Sequence, residues 1–248
     1  MSPDFDAIVV GAGFAGIRML YLLRENGFNV RGIERYKSIG GVWNANGYPG
    51  ARCDSPQPFY QIHDETLASG WTFSKMFPDH SEMCRPNVDV VDMGKEVTKI
   101  TRKGIHSGSI KREFDVIICA TGFEPLSAGI TRLNITGKHG VHLADVWKTR
   151  IISYLGMTVP AFPNMFYLVG PQGPTVKVNV PTTVECQTQW ILSLLKSLRE
   201  SHIDCCEPTL SAAQGWVEKL NQQWNDSLYA NANVWEARSS SDKSEPLW

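Results

Sequence analysis

The chain has 248 residues, 42% of them hydrophobic, a length that suits one large α/β domain or two small ones. A formal net charge of −1 offers no electrostatic footprint for nucleic acid or an anionic membrane. No stretch approaches the roughly 18 apolar residues of a membrane span, and the N-terminus runs straight into an apolar segment with no room for a signal peptide, so a soluble, cytoplasmic protein is expected. The six cysteines (53, 84, 119, 186, 205, 206) lack metal-ligand spacing, and no metal site is expected; reduced thiols are the simpler reading.

The first informative stretch is Ile8–Glu34. Ile8-Val9-Val10 reads as a buried strand, Gly11, Gly13 and Gly16 give the G-x-G-x-x-G spacing, Ile17–Arg24 reads as a helix, and Phe28–Ile33 as a second strand ending at Glu34. Gly11 permits the tight turn, Gly13 lets the backbone approach a pyrophosphate, and Gly16 lets helix and strand pack closely. The helix N-terminus offers N–H groups and a positive dipole end to phosphates, with Phe14 and Ala15 of the turn as further cofactor-binding candidates. Glu34 can accept hydrogen bonds from ribose hydroxyls. An acid there disfavours a 2′-phosphate, so FAD or NAD fits better than NADP. An ordinary α/β glycine turn is the competing reading.

Residues 38–55 are dense in Gly, Pro and Asn and read as a long, functional loop. Glu34-Arg35, then Gly40-Gly41-Val42-Trp43, then Tyr48-Pro49-Gly50-Ala51-Arg52-Cys53-Asp54 resembles the flavin-binding half of the Baeyer–Villiger monooxygenases. The resemblance implies an α/β fold: a three-layer, Rossmann-like FAD-binding domain with a parallel sheet and a small β-meander. It places Arg35, Gly41, Val42 and Trp43 at the cofactor, and Arg52, Cys53 and Asp54 beside the flavin, with Asp54 and Arg52 as candidate catalytic residues. Core packing for Trp43 and loop capping for Asp54 are the alternatives. The aromatic stretch 59–83, with Tyr60, Trp71 and Phe73, walls a substrate pocket or forms ordinary core.

After Met83 the resemblance jumps to Arg85-Pro86-Asn87-Val88, the strand that in the family follows a second, NADPH-binding domain. The sequence carries one G-x-G-x-x-G, so that domain is expected to be missing, with the junction near 83–85. The family's arginine that pairs with the loop aspartate goes with it. Residues 88–91, 97–101 and 109–113 read as short strands of a meander, and Phe114–Phe123 as a buried strand ending in Ala120-Thr121-Gly122. By resemblance Val97, Thr121, Gly122, Gln172 and Asn179 also face the cofactor; a plain turn is the alternative at Gly122. Residues 163–171 read as a strand, Pro181–Arg199 and Ser211–Tyr229 as amphipathic helices, and the polar residues 237–248 as a flexible tail after a single domain over 1–236.

Three functions follow as expectations. FAD serves as a fixed element in a redox-neutral cyclase or isomerase acting on a small natural product, with Asp54, buried beside the flavin, as a general acid of raised pKa. Alternatively, an oxidase or monooxygenase is reduced by a partner protein or free reduced flavin. The third is a non-catalytic FAD-binding module. The surface bared by a missing domain implies a homodimer.

Overall fold

The structure is a computed structural model that describes residues 4–62, 64–68, 72–83, 91–101, 104–122, 128–173, 178–228, 237–240 and 243–246. In chain order the elements are β1 (Phe5–Val10), α1 (Phe14–Glu25), β2 (Val30–Glu34), α2 (Val42–Ala45), α3 (Glu65–Ala68), α4 (His80–Met83), β3 (Val91–Met93), β4 (Lys99–Thr101), β5 (Gly104–Ser107) and β6 (Ile110–Cys119). They continue with α5 (Ala128–Thr131), a 3-10 turn at Lys138–Gly140, α6 (Leu143–Val146), β7 (Met165–Tyr167), α7 (Val180–Glu200), α8 (Leu210–Asn225), β8 (Ala237–Ser240) and β9 (Lys243–Pro246).

The sheet runs β3-β2-β1-β6-β5-β4, with β7 also paired to β6. Strands β3, β2, β1, β7 and the second half of β6 are mutually parallel. The first half of β6 pairs antiparallel with β5, and β5 with β4, which is the small meander. One ten-residue strand therefore belongs to both systems, where the sequence suggested two. No turn residue separates Glu113 from Phe114, and the register passes from Gly104↔Glu113 in the meander to Phe5↔Phe114 in the parallel sheet. Strand β5 falls where the sequence pointed to a turn, because Gly104 and Gly108 punctuate it. Gly104 has a structural reason: a Cβ there would lie 2.0 Å from the Arg112 carbonyl oxygen.

Side chains alternate across the sheet with a period of two. Ala7 and Val9 join Met19, Leu20 and Leu23 of α1 and Val184, Ile191 and Leu195 of α7 in one buried layer. Ile8 and Val10 face the other side with Ile33, Ile100, Ile105, Leu143, Trp147 and Tyr167. Each fully buried aliphatic side chain contributes about 1.5–3 kcal/mol, and the two layers sandwich the sheet. The expected three-layer α/β architecture is present. Trp190 packs against the first layer as core.

The expected helices are found with shifted ends. Helix α1 starts one turn before Ile17, because its N-cap is Gly13, which has no capping side chain to mark it. Helix α7 is capped by Asn179, and α8 by Thr209. On α8 the buried face is Ala213, Val217, Leu220 and Trp224; Ala212 is not part of it, and Leu228 is 92% exposed. In the residues expected to form a mobile tail, β8 and β9 instead pair antiparallel. The proposed junction residues 84 and 85 lie outside the described residues.

Candidate nucleotide site

The carboxyl ends of β1, β2 and β6 converge on the glycine turn. Gly11 has φ +102°, and a Cβ there would lie 2.2 Å from the Ala120 carbonyl oxygen; one on Gly16 would lie 1.9 Å from the Gly11 carbonyl oxygen. These two glycines are required by the protein's own backbone. Gly13 is not: its Cβ would meet only the Gly41 backbone, at 3.4 Å. The first intrahelical bond of α1 is Ile17 N–H to Gly13 O at 3.0 Å, so the N–H groups of Phe14, Ala15 and Gly16 precede it, as at any helix start.

The Gly40-Gly41 loop hangs on this turn through Gly40 N–H to Ala12 O, 2.9 Å. Gly41, at φ +58°, brings its own Cβ position to 2.8 Å from Gly13 Cα, a second close approach of bare backbone. Glu34, 4% exposed, accepts Ala12 N–H on Oε2 at 2.7 Å and Tyr36 N–H on Oε1 at 2.9 Å. Each oxygen keeps a further lone pair for a hydroxyl donor. Arg35 is exposed and stacks over Tyr36 at 4.8 Å. Val97 is buried among Val10, Ile33 and Ile100, so its side chain is core. Thr121 and Gly122 follow Ala120, whose N–H bonds Val10 O at 2.8 Å beside Gly11. Gly122 takes φ +83° with open space at its Cβ position.

Three aromatic rings cover the turn. Tyr60 meets Phe14 edge-on at 5.7 Å and Trp43 edge-on at 6.1 Å. Burial pushes the Tyr60 hydroxyl up to about 12, Cys53 and Asp54 add in the same direction, and the Trp43 indole N–H pulls the other way. The buried Trp43 indole N–H faces the Tyr60 hydroxyl without the geometry of a full hydrogen bond. Val42 is 56% exposed. Phe73 is half-buried, and Trp71 lies outside the described residues.

Asp54, expected to lie buried beside the flavin, is exposed in the protein alone and approached by Ser55 Oγ at 3.4 Å. Arg52 bridges Asp79 antiparallel, flanked by His80 N–H on Ala51 O at 3.3 Å and Cys53 N–H on Pro78 O at 2.9 Å, and Gln57 N–H bonds Met76 O at 2.8 Å. In extended chain alternate residues point opposite ways. Cys53 takes the inner position, where burial raises its thiol, and Arg52 and Asp54 take the outer ones. Arg52 donates to Phe77 O at 3.2 Å.

Gln172, expected at the cofactor, bonds through its side chain within the protein. Its Oε1 accepts from Ser153 Oγ at 2.7 Å and its Nε2 donates to Ile151 O at 2.8 Å. Asn179 does likewise: Oδ1 accepts Thr182 N–H at 2.9 Å as the α7 cap, and Nδ2 donates to Phe59 O at 3.0 Å.

Sequence reasoning missed Arg18, 3% exposed on α1, which pairs with Asp64 and Glu185. An arginine in a helical stretch gives no sign of burial until its carboxylates are placed. The described cysteines are free, and no group of metal-ligating side chains is found among the described residues. No helix among them is long and apolar enough to cross a membrane.

A strand–glycine turn–helix with an acid at the next strand end defines a dinucleotide-binding domain. The family profile described as an NAD(P)-binding Rossmann-like domain matches residues 9–66. The chain is 32% identical over 168 residues to the FAD-binding monooxygenase lolF2 of Epichloe uncinata, covering 67% of this chain and 31% of that one. To cyclohexanone 1,2-monooxygenase of Acinetobacter sp it is 33% identical over 154 residues, covering 61% and 28%. Among solved structures, FAD-bound OTEMO aligns at TM-score 0.86 with 16% identity, over 100% of this chain and 95% of that one. The open structure of cyclohexanone monooxygenase aligns at 0.75 with 15% identity, over 90% and 93%. The chain is thus a homologue of the Baeyer–Villiger and FAD-binding monooxygenases and has their fold. It spans about a third of the length of the curated relatives it matches.

Proposed function

We propose that the chain binds FAD and is the flavin-holding part of a monooxygenase-type flavoprotein whose reducing electrons come from outside this chain. The observation that carries the reading is the pair of bare backbones at Gly13 and Gly41. The protein's own packing does not require glycine at 13, whereas a pyrophosphate lying against the backbone does. FAD bound there would supply redox chemistry at its ring. The N–H groups of Phe14, Ala15 and Gly16 would face phosphate, Glu34 would hold ribose hydroxyls and select against a 2′-phosphate, and Trp43 would donate from its indole. Tyr60 and Phe14 would keep water from that end of the site.

The redox-neutral cyclase or isomerase reading needed Asp54 as an acid of raised pKa. The relatives are monooxygenases, so external reduction is the better supported of the two. Purified protein should take up FAD and show an oxidised-flavin spectrum. Under anaerobic conditions NADPH alone should leave the yellow colour, whereas free reduced flavin or a reductase should bleach it. Rapid bleaching by NADPH alone overturns the external-reductant claim, anaerobic turnover without any reductant restores the redox-neutral reading, and a protein that takes up no FAD overturns both. Exposed Tyr48, Phe59, Met76 and Phe77 support self-association as a homodimer; a monomer by light scattering refutes it.

A further inference from the structure

Arg18 lies one turn along α1 from Phe14, on the same helix face. Tyr60 and Asp64 are also four residues apart, and the two pairs meet in register: Tyr60 rests on Phe14, and Asp64 Oδ2 lies 2.6 Å from Arg18 Nη1. The guanidinium is 3% exposed, and its other edge is fixed to α7, with Nε and Nη2 at 3.1 and 3.0 Å from Glu185 Oε2. Two further bonds position the same segment: Asn179 Nδ2 to Phe59 O at 3.0 Å, and Gln57 Nε2 to Tyr60 O at 2.9 Å. The chain around Tyr60 is therefore tied to α1 and α7, the helices that flank the sheet on this side. The charged tie runs through one buried arginine, whose planar fork can serve two carboxylates at once in a way that a lysine ammonium cannot.

We propose that Arg18 is a positioning residue of the nucleotide site: by gripping Asp64 it seats the Tyr60 segment on the first turn of α1, and so keeps Tyr60 against Phe14 and Trp43. Arg18 touches no reacting group in this arrangement and acts through Asp64. Its consequence for FAD rests on the function proposed above; the seating of the segment does not.

Replacing Arg18 leaves two carboxylates unpaired and risks the fold, so the test is made at Asp64. Hydrogen exchange is measured without FAD on wild type, Asp64→Ala, Asp64→Asn and Glu185→Gln. Asp64→Ala should raise exchange of the Gln57 and Phe59 amides, bonded to Met76 O at 2.8 Å and Pro56 O at 3.0 Å, by about tenfold or more, the scale of losing a hydrogen bond to a charged group, while β1 and α7 stay protected. Asp64→Asn, which keeps an acceptor but loses the charge, should fall between. Glu185→Gln, on the same arginine but facing α7, should leave the Gln57 and Phe59 amides within about twofold of wild type while lowering the melting temperature. Unchanged exchange in Asp64→Ala overturns the proposal, as does equal loosening by Glu185→Gln, which would mean general destabilisation. In parallel, FAD affinity should drop about tenfold in Asp64→Ala, equivalent to 1.4 kcal/mol, and be rescued in part by Asp64→Asn. Loosened exchange with unchanged FAD affinity overturns the positioning role, and a wild-type protein that binds no FAD overturns the functional reading while exchange still decides the grip.

Discussion

Replacing Gly13 and Gly16 by alanine separates what the fold needs from what the ligand needs. At Gly16 the new Cβ lies 1.9 Å from the Gly11 carbonyl oxygen, where real contacts stay beyond 3.0 Å, so α1 and the β1 turn must part by at least about 1.1 Å. Neither partner is a flexible side chain. Overpacking of this kind costs about 1–3 kcal/mol or more, which in a domain of this size lowers the melting temperature by roughly 2–12 °C. At Gly13 the Cβ finds the Gly41 backbone at 3.4 Å, and φ is an ordinary −83°. The cost to the protein is then that of a poorer N-cap, about 0.5–1 kcal/mol or roughly 1–4 °C. The same methyl occupies the approach to the turn, so FAD affinity should fall by more than about tenfold, an effect larger than 1.4 kcal/mol. Thermal unfolding without ligand and titration of FAD by quenching of flavin fluorescence measure the two effects on the same samples. Wild-type affinity in Gly13→Ala refutes the cradle, and a wild-type melting temperature in Gly16→Ala refutes the packing argument.

Trp43→Phe keeps an aromatic ring but removes the indole N–H beside the Tyr60 hydroxyl; FAD affinity should fall about fivefold to tenfold, and an unchanged affinity would show that the N–H meets no ligand. Asn179→Ala removes the α7 cap and should cost about 1 kcal/mol, or roughly 2–4 °C by thermal unfolding; a change in FAD affinity without loss of stability would return Asn179 to the cofactor. Asp79 accepts from Ser81 Oγ at 2.6 Å and from the Ser81 and Glu82 amides at the start of α4. Those bonds, Ser81 hydroxyl first, lower its pKa from 3.8 to about 2. Because the folded value is depressed, its contribution is complete above the ordinary carboxylate value and lost as pH falls from about 4 to about 2; NMR titration of the carboxyl should show the low midpoint, Asp79→Asn should flatten that part of the stability profile, and an ordinary midpoint would refute the cap.

The sequence by itself determined the β1–turn–α1–β2 unit and its acid, because each part is local: three glycines at fixed spacing, an apolar run on either side, Glu34 at the end. It determined the long helix α7 through its apolar stripe, and the relationship to a flavoprotein family through contiguous loop motifs. Tertiary structure decided which side chains in those motifs are free to meet a ligand. Gln172 and Asn179 stand at positions where the family pattern places a cofactor, yet Ser153, Ile151, Thr182 and Phe59 supply all the partners their amides are seen to use. Asp54 is turned outward by the antiparallel bridge of Arg52 to Asp79, a contact no local pattern encodes. Arg18 becomes a buried anchor only when residues 46 and 167 positions away bring their carboxylates to it. Backbone turns are written in local sequence because sterics at single residues dictate them. The allocation of a polar side chain to core, cap or ligand depends on which distant donor or acceptor reaches it first, and that is settled only when the chain has folded.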